Sequence, residues 1–198
     1  MDTKSLVNFI FELNQLKRQR HSGFQLAGVK NPNTVAEHMF RAAQIGYILA
    51  VMEGDANPEK VTCMLIIHDN GEARIGDQNK VSARYFSKKS VEENAFLEQL
   101  EGLGEDIQKR WKNYFEEYEE RITKEGIVAK DADWLETAFQ AKEYIGTGYK
   151  SAQNWIDNVK GALETESAKK IIEEMEKTEF TDWWQDLKKM TYKKLDQK

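Results

Sequence analysis

The 198-residue sequence holds a single cysteine, Cys63, and two prolines, Pro32 and Pro58. One thiol can close no internal disulfide, and it cannot build a cysteine-based zinc site. Two prolines and 12 glycines are too few for a collagen-like or Pro-rich chain. Positive charge is not in excess either: 29 Lys and Arg against 34 Asp and Glu leave a net charge of −5. Broad binding to nucleic acid or an anionic membrane needs a basic face that displaces counterions, so neither a nucleic-acid polymer nor a membrane is an expected partner. No apolar run approaches the roughly 18 residues that a membrane span requires. The opening residues Met1 to Ser5 carry no long apolar core of a secretory signal, which makes the cytoplasm the expected location.

What the chain does have is apolar material for a core, 40% of its residues with 11% aromatic, spread at helical spacing. Leu6, Phe9, Ile10, Leu13 and Leu16 share one face of a first helix. A loop over residues 21–33 follows, and Thr34-Val35-Ala36-Glu37 matches a capping box. An apolar helix then runs to about Met52 and stops at Gly54, and Pro58 opens a third that reaches His68. Further helical patterns cover about 89–101, 105–121, 127–146, 151–163, 167–178 and 182–195. Alternating strands bounded by hairpin turns are absent, and no linker divides the chain, so the spacing predicts one all-α domain over residues 1–198. Two stripes, Trp111-Tyr114-Phe115-Tyr118 and Ile171-Ile172-Met175-Phe180-Trp183-Trp184-Leu187, are expected to pack on that core.

Two of the three histidines occupy apolar helix faces. His38 aligns with Ala42, Ile45, Leu49 and Met52, and His68 aligns with Val61, Met64 and Leu65. Asp69 is next to His68, and a continuing helix would bring Glu72 to the same edge. A carboxylate beside an imidazole is costly to bury without compensation, and a divalent metal would supply it. Taken singly, each residue has a plainer explanation: a buried histidine is usually a hydrogen-bonded core residue, Glu37 completes the capping box, and Asp77 after Gly76 can hold a turn.

The ordered set is more informative. Val35-Ala36-Glu37-His38, His68-Asp69-Asn70-Gly71-Glu72, Ile75-Gly76-Asp77 and Lys130-Asp131-Ala132-Asp133-Trp134-Leu135-Glu136 together resemble the HD-domain metal-dependent phosphohydrolases, in the branch that contains the 5′-deoxynucleotidases. The motif-bearing core spans about residues 16–145, and a helical extension of about 151–198 lies outside the resemblance. The resemblance implies an all-α helical bundle holding one divalent metal ion per subunit on His38, His68, Asp69 and Asp133, with Mn, Co, Fe, Ni, Zn and Mg all open. The resemblance favours Asp133 over Asp131, because the family's last ligand precedes a short apolar-acidic stretch, here Trp134-Leu135-Glu136; the face Asp133 shares with Ala129, Glu136 and Gln140 agrees, leaving Asp131 to solvent or to a hydrogen bond with the chain nearby.

The resemblance also implies that Glu72 is the catalytic acid/base, and that Asp77 contacts the sugar and takes part near the leaving oxygen. In the loop before His38 the family places an Arg ahead of an aromatic; here Phe24 aligns with the aromatic, and Arg20 or His21 takes the place of the Arg. Phosphate would then be held by Arg20 or His21, and the base would stack on Phe24. The implied activity is release of phosphate from (deoxy)nucleoside 5′-monophosphates by a homodimer. The alternatives are hydrolysis of another phosphoester or of a nucleoside di- or triphosphate, and a non-catalytic nucleotide-sensing HD domain.

Overall fold

Five of the helices begin on side chains that accept from their own first-turn N–H groups. In the computed structural model, which describes residues 2–85 and 88–187 and the side chains there except those of 88–90, α1 (Thr3–Leu13) starts on the Asp2 carboxylate. Thr34 opens α3 (Val35–Glu53) with both bonds of the capping box, and Gly54 closes it with φ +79°. Asn57 caps α4 (Pro58–Ile67), Thr123 caps α8 (Lys124–Gly146), and Thr165 caps α10 (Glu166–Lys177). The shorter α2 (Ser22–Leu26) and α5 (Glu72–Ile75), with α6 (Lys88–Leu100), α7 (Glu105–Glu120) and α9 (Gln153–Lys160), complete an all-α architecture. Among the described residues no strand forms, and the sole β-type pairing is an isolated bridge between Arg20 and Thr34. No helix there is long and apolar enough to cross a membrane.

Helices α3, α4 and α8 form the centre, joined through Leu49, Val61, Leu65, Ala132 and Leu135, all fully buried. Close approach of α3 to α4 depends on Gly46, where a Cβ would sit 2.2 Å from Leu65 Cδ1 and 2.9 Å from Val61 Cγ1. That contact sets the separation of the two helices that carry His38 and His68. Ile156 of α9 and Ile172 and Met175 of α10 add to the same core, while α1, α6 and α7 close a second one around Phe9, Phe96 and Phe115.

Three expectations change in detail. The 21–33 stretch contains a helical turn, α2, because Phe24 buries itself against Tyr144 and Trp155. The third helix ends at Ile67, and the chain continues through i to i−3 bonds at Asn70, Glu72, Ala73 and Arg74. Glu72 therefore begins a separate helix instead of sharing an edge with His68 by helical spacing. The far end of the second stripe leaves the core: Trp183 is 76% exposed, and Trp184 and Leu187 are exposed too; of the expected last helix, 182–195, residues 182–187 are described and carry only the 3-10 turn Asp182–Trp184, the rest lying outside the described residues.

Candidate metal centre

His38 sits in the first turn of α3 and His68 closes α4, each 1% exposed, while Asp69 follows directly and Asp133 lies in the middle of α8. Their donor atoms converge. His38 Nε2 is 3.3 Å from His68 Nε2, 3.2 Å from Asp133 Oδ1 and 3.8 Å from Asp69 Oδ2. His68 Nε2 is 3.1 Å from Asp69 Oδ2 and 3.9 Å from Asp133 Oδ1. Donors placed about 2.1 Å from one ion are about 3.0 Å apart at adjacent octahedral positions and about 3.4 Å apart in a tetrahedron. The spacings of 3.1–3.3 Å match such a shell, and those of 3.8 and 3.9 Å are a few tenths of an ångström wider.

The outer contacts fix which atoms face inward. His68 Nδ1 donates to the Leu65 carbonyl at 2.9 Å, which leaves its Nε2 lone pair directed at the cluster. His38 Nδ1 meets the Glu136 carboxylate, and Arg41 Nε holds the other Glu136 oxygen at 2.9 Å. Arg41 is itself fixed by Gln140 at 3.0 Å and Glu143 at 2.6 Å. The second oxygen of Asp133 accepts from the Tyr118 hydroxyl at 2.6 Å and lies 3.2 Å from Lys130 Nζ, leaving Oδ1 for the centre.

Electrostatics follow from this packing. Burial works against the charged form of every group. Even so, Lys130 and the two imidazoles hold Asp133 well below the usual carboxylate range, and His68 and His38 hold Asp69 low. Glu136 and Asp133 raise His38 well above an ordinary imidazole, and Asp69 raises His68. Two imidazole lone pairs only 3.3 Å apart, flanked by two carboxylates, need positive charge between them. A divalent cation supplies it, and the residues fit one.

Beside the donors lies a cleft of about 150 Å³. Glu72, 2% exposed, reaches it from the start of α5, and its carboxylate groups with those of Asp69 and Glu92 within 4.8 Å. The α6 backbone comes this close because residue 71 is glycine: a Cβ there would be 2.7 Å from the Glu92 carbonyl oxygen. Asp77 enters after Gly76, whose φ of +73° favours glycine, and its carboxylate accepts from the Ser22 N–H at 2.5 Å. His21 lines the same cleft with its ring 4.6 Å from that of His38, and burial together with His38 lowers its basicity.

Other sequence candidates fall elsewhere. Arg20 donates to the Pro32 carbonyl at 2.8 Å and lines a separate groove with Lys17 and Phe40. Phe24 is 1% exposed, stacked on Trp155 at 5.3 Å, so its ring offers no free face to a base. Asp131 is not a solvent residue: it accepts from the Glu164 and Thr165 backbone N–H groups and the Thr165 hydroxyl, anchoring the start of α10. The sequence reading passed over Glu136, Arg41, Tyr118 and Lys130. Glu136 and Lys130 are each three residues from Asp133 and Arg41 is three from His38, a spacing that places them one turn from a candidate ligand.

A sequence profile of the HD domain family matches residues 13–176, continuing through α9 and α10 beyond the motif-bearing stretch. Human 5′-deoxynucleotidase HDDC2 is 26% identical over 182 residues, which are 90% of this chain and 88% of that protein. 5′-Deoxynucleotidase HDDC2 of Dictyostelium discoideum is 32% identical over 139 residues, 66% of this chain and 72% of its own. Among solved structures, a conserved hypothetical protein from Pyrococcus furiosus superposes with a TM-score of 0.70 at 32% identity, over 87% of this chain and 99% of that one.

Proposed function

The chain belongs to the HD domain family, and on that premise we propose that it is a metal-dependent phosphohydrolase releasing phosphate from nucleoside 5′-monophosphates, with 2′-deoxy forms preferred. One observation carries this reading: the Nε2 atoms of His38 and His68 lie 3.1–3.9 Å from each other and from the carboxylates of Asp69 and Asp133, beside a cleft that also holds Glu72 and Asp77. The relatives named 5′-deoxynucleotidase support the choice of substrate.

His38, His68, Asp69 and Asp133 would hold a divalent ion, which would supply Lewis acidity to neutralise phosphoryl charge and acidify water. Two imidazoles with two carboxylates favour a borderline ion, Mn, Fe, Co, Ni or Zn, over Mg, which prefers oxygen donors alone. In the reaction, water oxygen bonds to phosphorus, the bond from phosphorus to the 5′ oxygen breaks, and one proton passes from water toward the leaving oxygen. Glu72 is the group placed to accept that proton on a carboxylate oxygen and return it. Asp77, held by the Ser22 N–H, is given the sugar contact by the family resemblance, and excluding a 2′-hydroxyl there would be one way to prefer deoxyribose. His21 replaces Arg20 as the phosphate contact, since Arg20 is committed to Pro32. Phe24 supports α2 beneath His21 instead of stacking on the base.

One domain per chain, one ion per subunit and a cytoplasmic homodimer complete the proposal; exposed Phe40, Tyr47, Ile48 and Val51 on α3 provide apolar surface for the dimer. Glu72→Gln tests the chemistry. Mn²⁺ and deoxynucleotide binding should persist while turnover falls by about 10²–10⁴-fold. Turnover equal to the parent would remove Glu72 from the chemistry, and no turnover in the parent with the metal bound would leave a nucleotide-sensing domain.

A further inference from the structure

Resting on the phosphohydrolase reading, we propose that Lys130 is a catalytic residue whose ammonium binds a phosphoryl oxygen of the substrate. The cleft is strongly acidic: Asp69, Glu72, Asp77, Glu92, Glu119 and Asp133 all line it. A divalent ion offsets only part of that charge, and a phosphate monoester brings two more negative charges. Among the described residues lining the cleft, Lys130 is the sole Lys or Arg.

Its placement fits the task. Lys130 stands on α8 one turn before the ligand Asp133, with its side chain 21% exposed, so it is reachable but not free in solvent. The ammonium lies 4.2 Å above the centre of the Tyr118 ring, donates to the Tyr118 hydroxyl at 2.7 Å and pairs with Asp133 Oδ2 at 3.2 Å. An ammonium has three N–H donors, and these contacts engage two of them, which leaves one for a ligand oxygen. Because the Tyr118 hydroxyl is itself bonded to Asp133, the ring, the ammonium and the ligand carboxylate form one fixed triangle at the rim of the centre. A cation held this way loses little rotamer freedom on binding an anion, unlike a lysine on an open surface.

The competing role is purely positional, in which Lys130 only neutralises and orients Asp133. Calorimetric titration separates the two, using Mn²⁺ alone and then inorganic phosphate on the Mn²⁺-loaded full chain. Lys130→Met should keep Mn²⁺ affinity within about 3-fold of the parent and lose about 10- to 100-fold in phosphate affinity, the span of a charge-assisted hydrogen bond. Lys130→Arg should recover most of the phosphate affinity. With deoxynucleoside monophosphates, kcat/KM should fall by a similar factor. Circular dichroism checks folding, and Lys130→Gln stands in should the Met variant fail to fold. The inference is overturned if phosphate binds Lys130→Met as tightly as the parent, if Mn²⁺ affinity falls in step with phosphate affinity, or if the parent binds no phosphate. Phosphate binding that depends on Lys130 in a protein that cleaves no nucleotide would retain Lys130 as the anion site and refute the nucleotidase reading.

Discussion

Replacing Glu136 by Gln tests how the chain prepares His38 for a metal. Glu136 is 1% exposed and pairs with His38 Nδ1 on one oxygen and with Arg41 on the other. The glutamine amide oxygen can still accept from Nδ1–H, so ring orientation survives, but the negative charge that strengthens the imidazole as a donor is lost. Loss of such an outer partner costs about 10- to 100-fold in metal affinity, or roughly 1.4–2.7 kcal/mol. Arg41 keeps Gln140 and Glu143, so the charge it loses is partly replaced and the fold should persist. The assay is a Mn²⁺ titration by calorimetry at pH 8, with thermal unfolding of the metal-free protein as control. Unchanged Mn²⁺ affinity in a folded Glu136→Gln protein would refute the idea that this contact tunes the centre.

Asp131→Asn and Asp133→Asn should separate two neighbouring carboxylates by role: the first loses about 1–3 kcal/mol of stability in urea unfolding with Mn²⁺ binding kept, and the second loses Mn²⁺ binding. Equal effects of the two on metal affinity would contradict the assignment. Gly71→Ala drives a Cβ to 2.7 Å from the Glu92 carbonyl, so α6 must shift, and about 1–3 kcal/mol should be lost together with turnover; an unaltered urea midpoint and kcat would contradict that close contact. For pH the sign follows from His38 and His68, whose folded pKa values lie above the unfolded one. Their protonated forms stabilise the metal-free fold below the unfolded imidazole pKa, and this contribution is lost as pH rises through the raised folded values. Metal and proton compete for the same nitrogens, so the rise in Tm produced by Mn²⁺ should grow from pH 6 to pH 9, and a constant or shrinking rise would count against these ligands.

The sequence made the helical architecture readable because capping residues and apolar spacing act locally: Thr34, Gly54 and Pro58 fall where α3 and α4 begin or end. The convergence of His38, His68, Asp69 and Asp133 was readable for a related reason, as the ordered motif fixes positions that helical faces then aim inward. Contacts between distant helices were not readable. Tyr118 looks like any member of an apolar stripe until α7 packs on α8 and brings its hydroxyl to Asp133. Phe24 aligns with a base-stacking aromatic, yet Trp155 of α9, far along the chain, covers it. The close approach of the α6 backbone to Gly71 was not readable either, since the Glu92 carbonyl it admits lies on a different helix. Likewise, the bond from Arg20 to the Pro32 carbonyl was not readable, since that partner is set by loop geometry.

The central claim is tested most directly by phosphate release from matched deoxy- and ribonucleoside 5′-monophosphates. The full chain would be stripped of metal and reloaded with Mn²⁺ or Co²⁺, with His68→Ala/Asp69→Ala as the blank. The account expects release that requires the metal, disappears in the blank and is faster on the deoxy forms. No release from any monophosphate by protein with the metal demonstrably bound would contradict it.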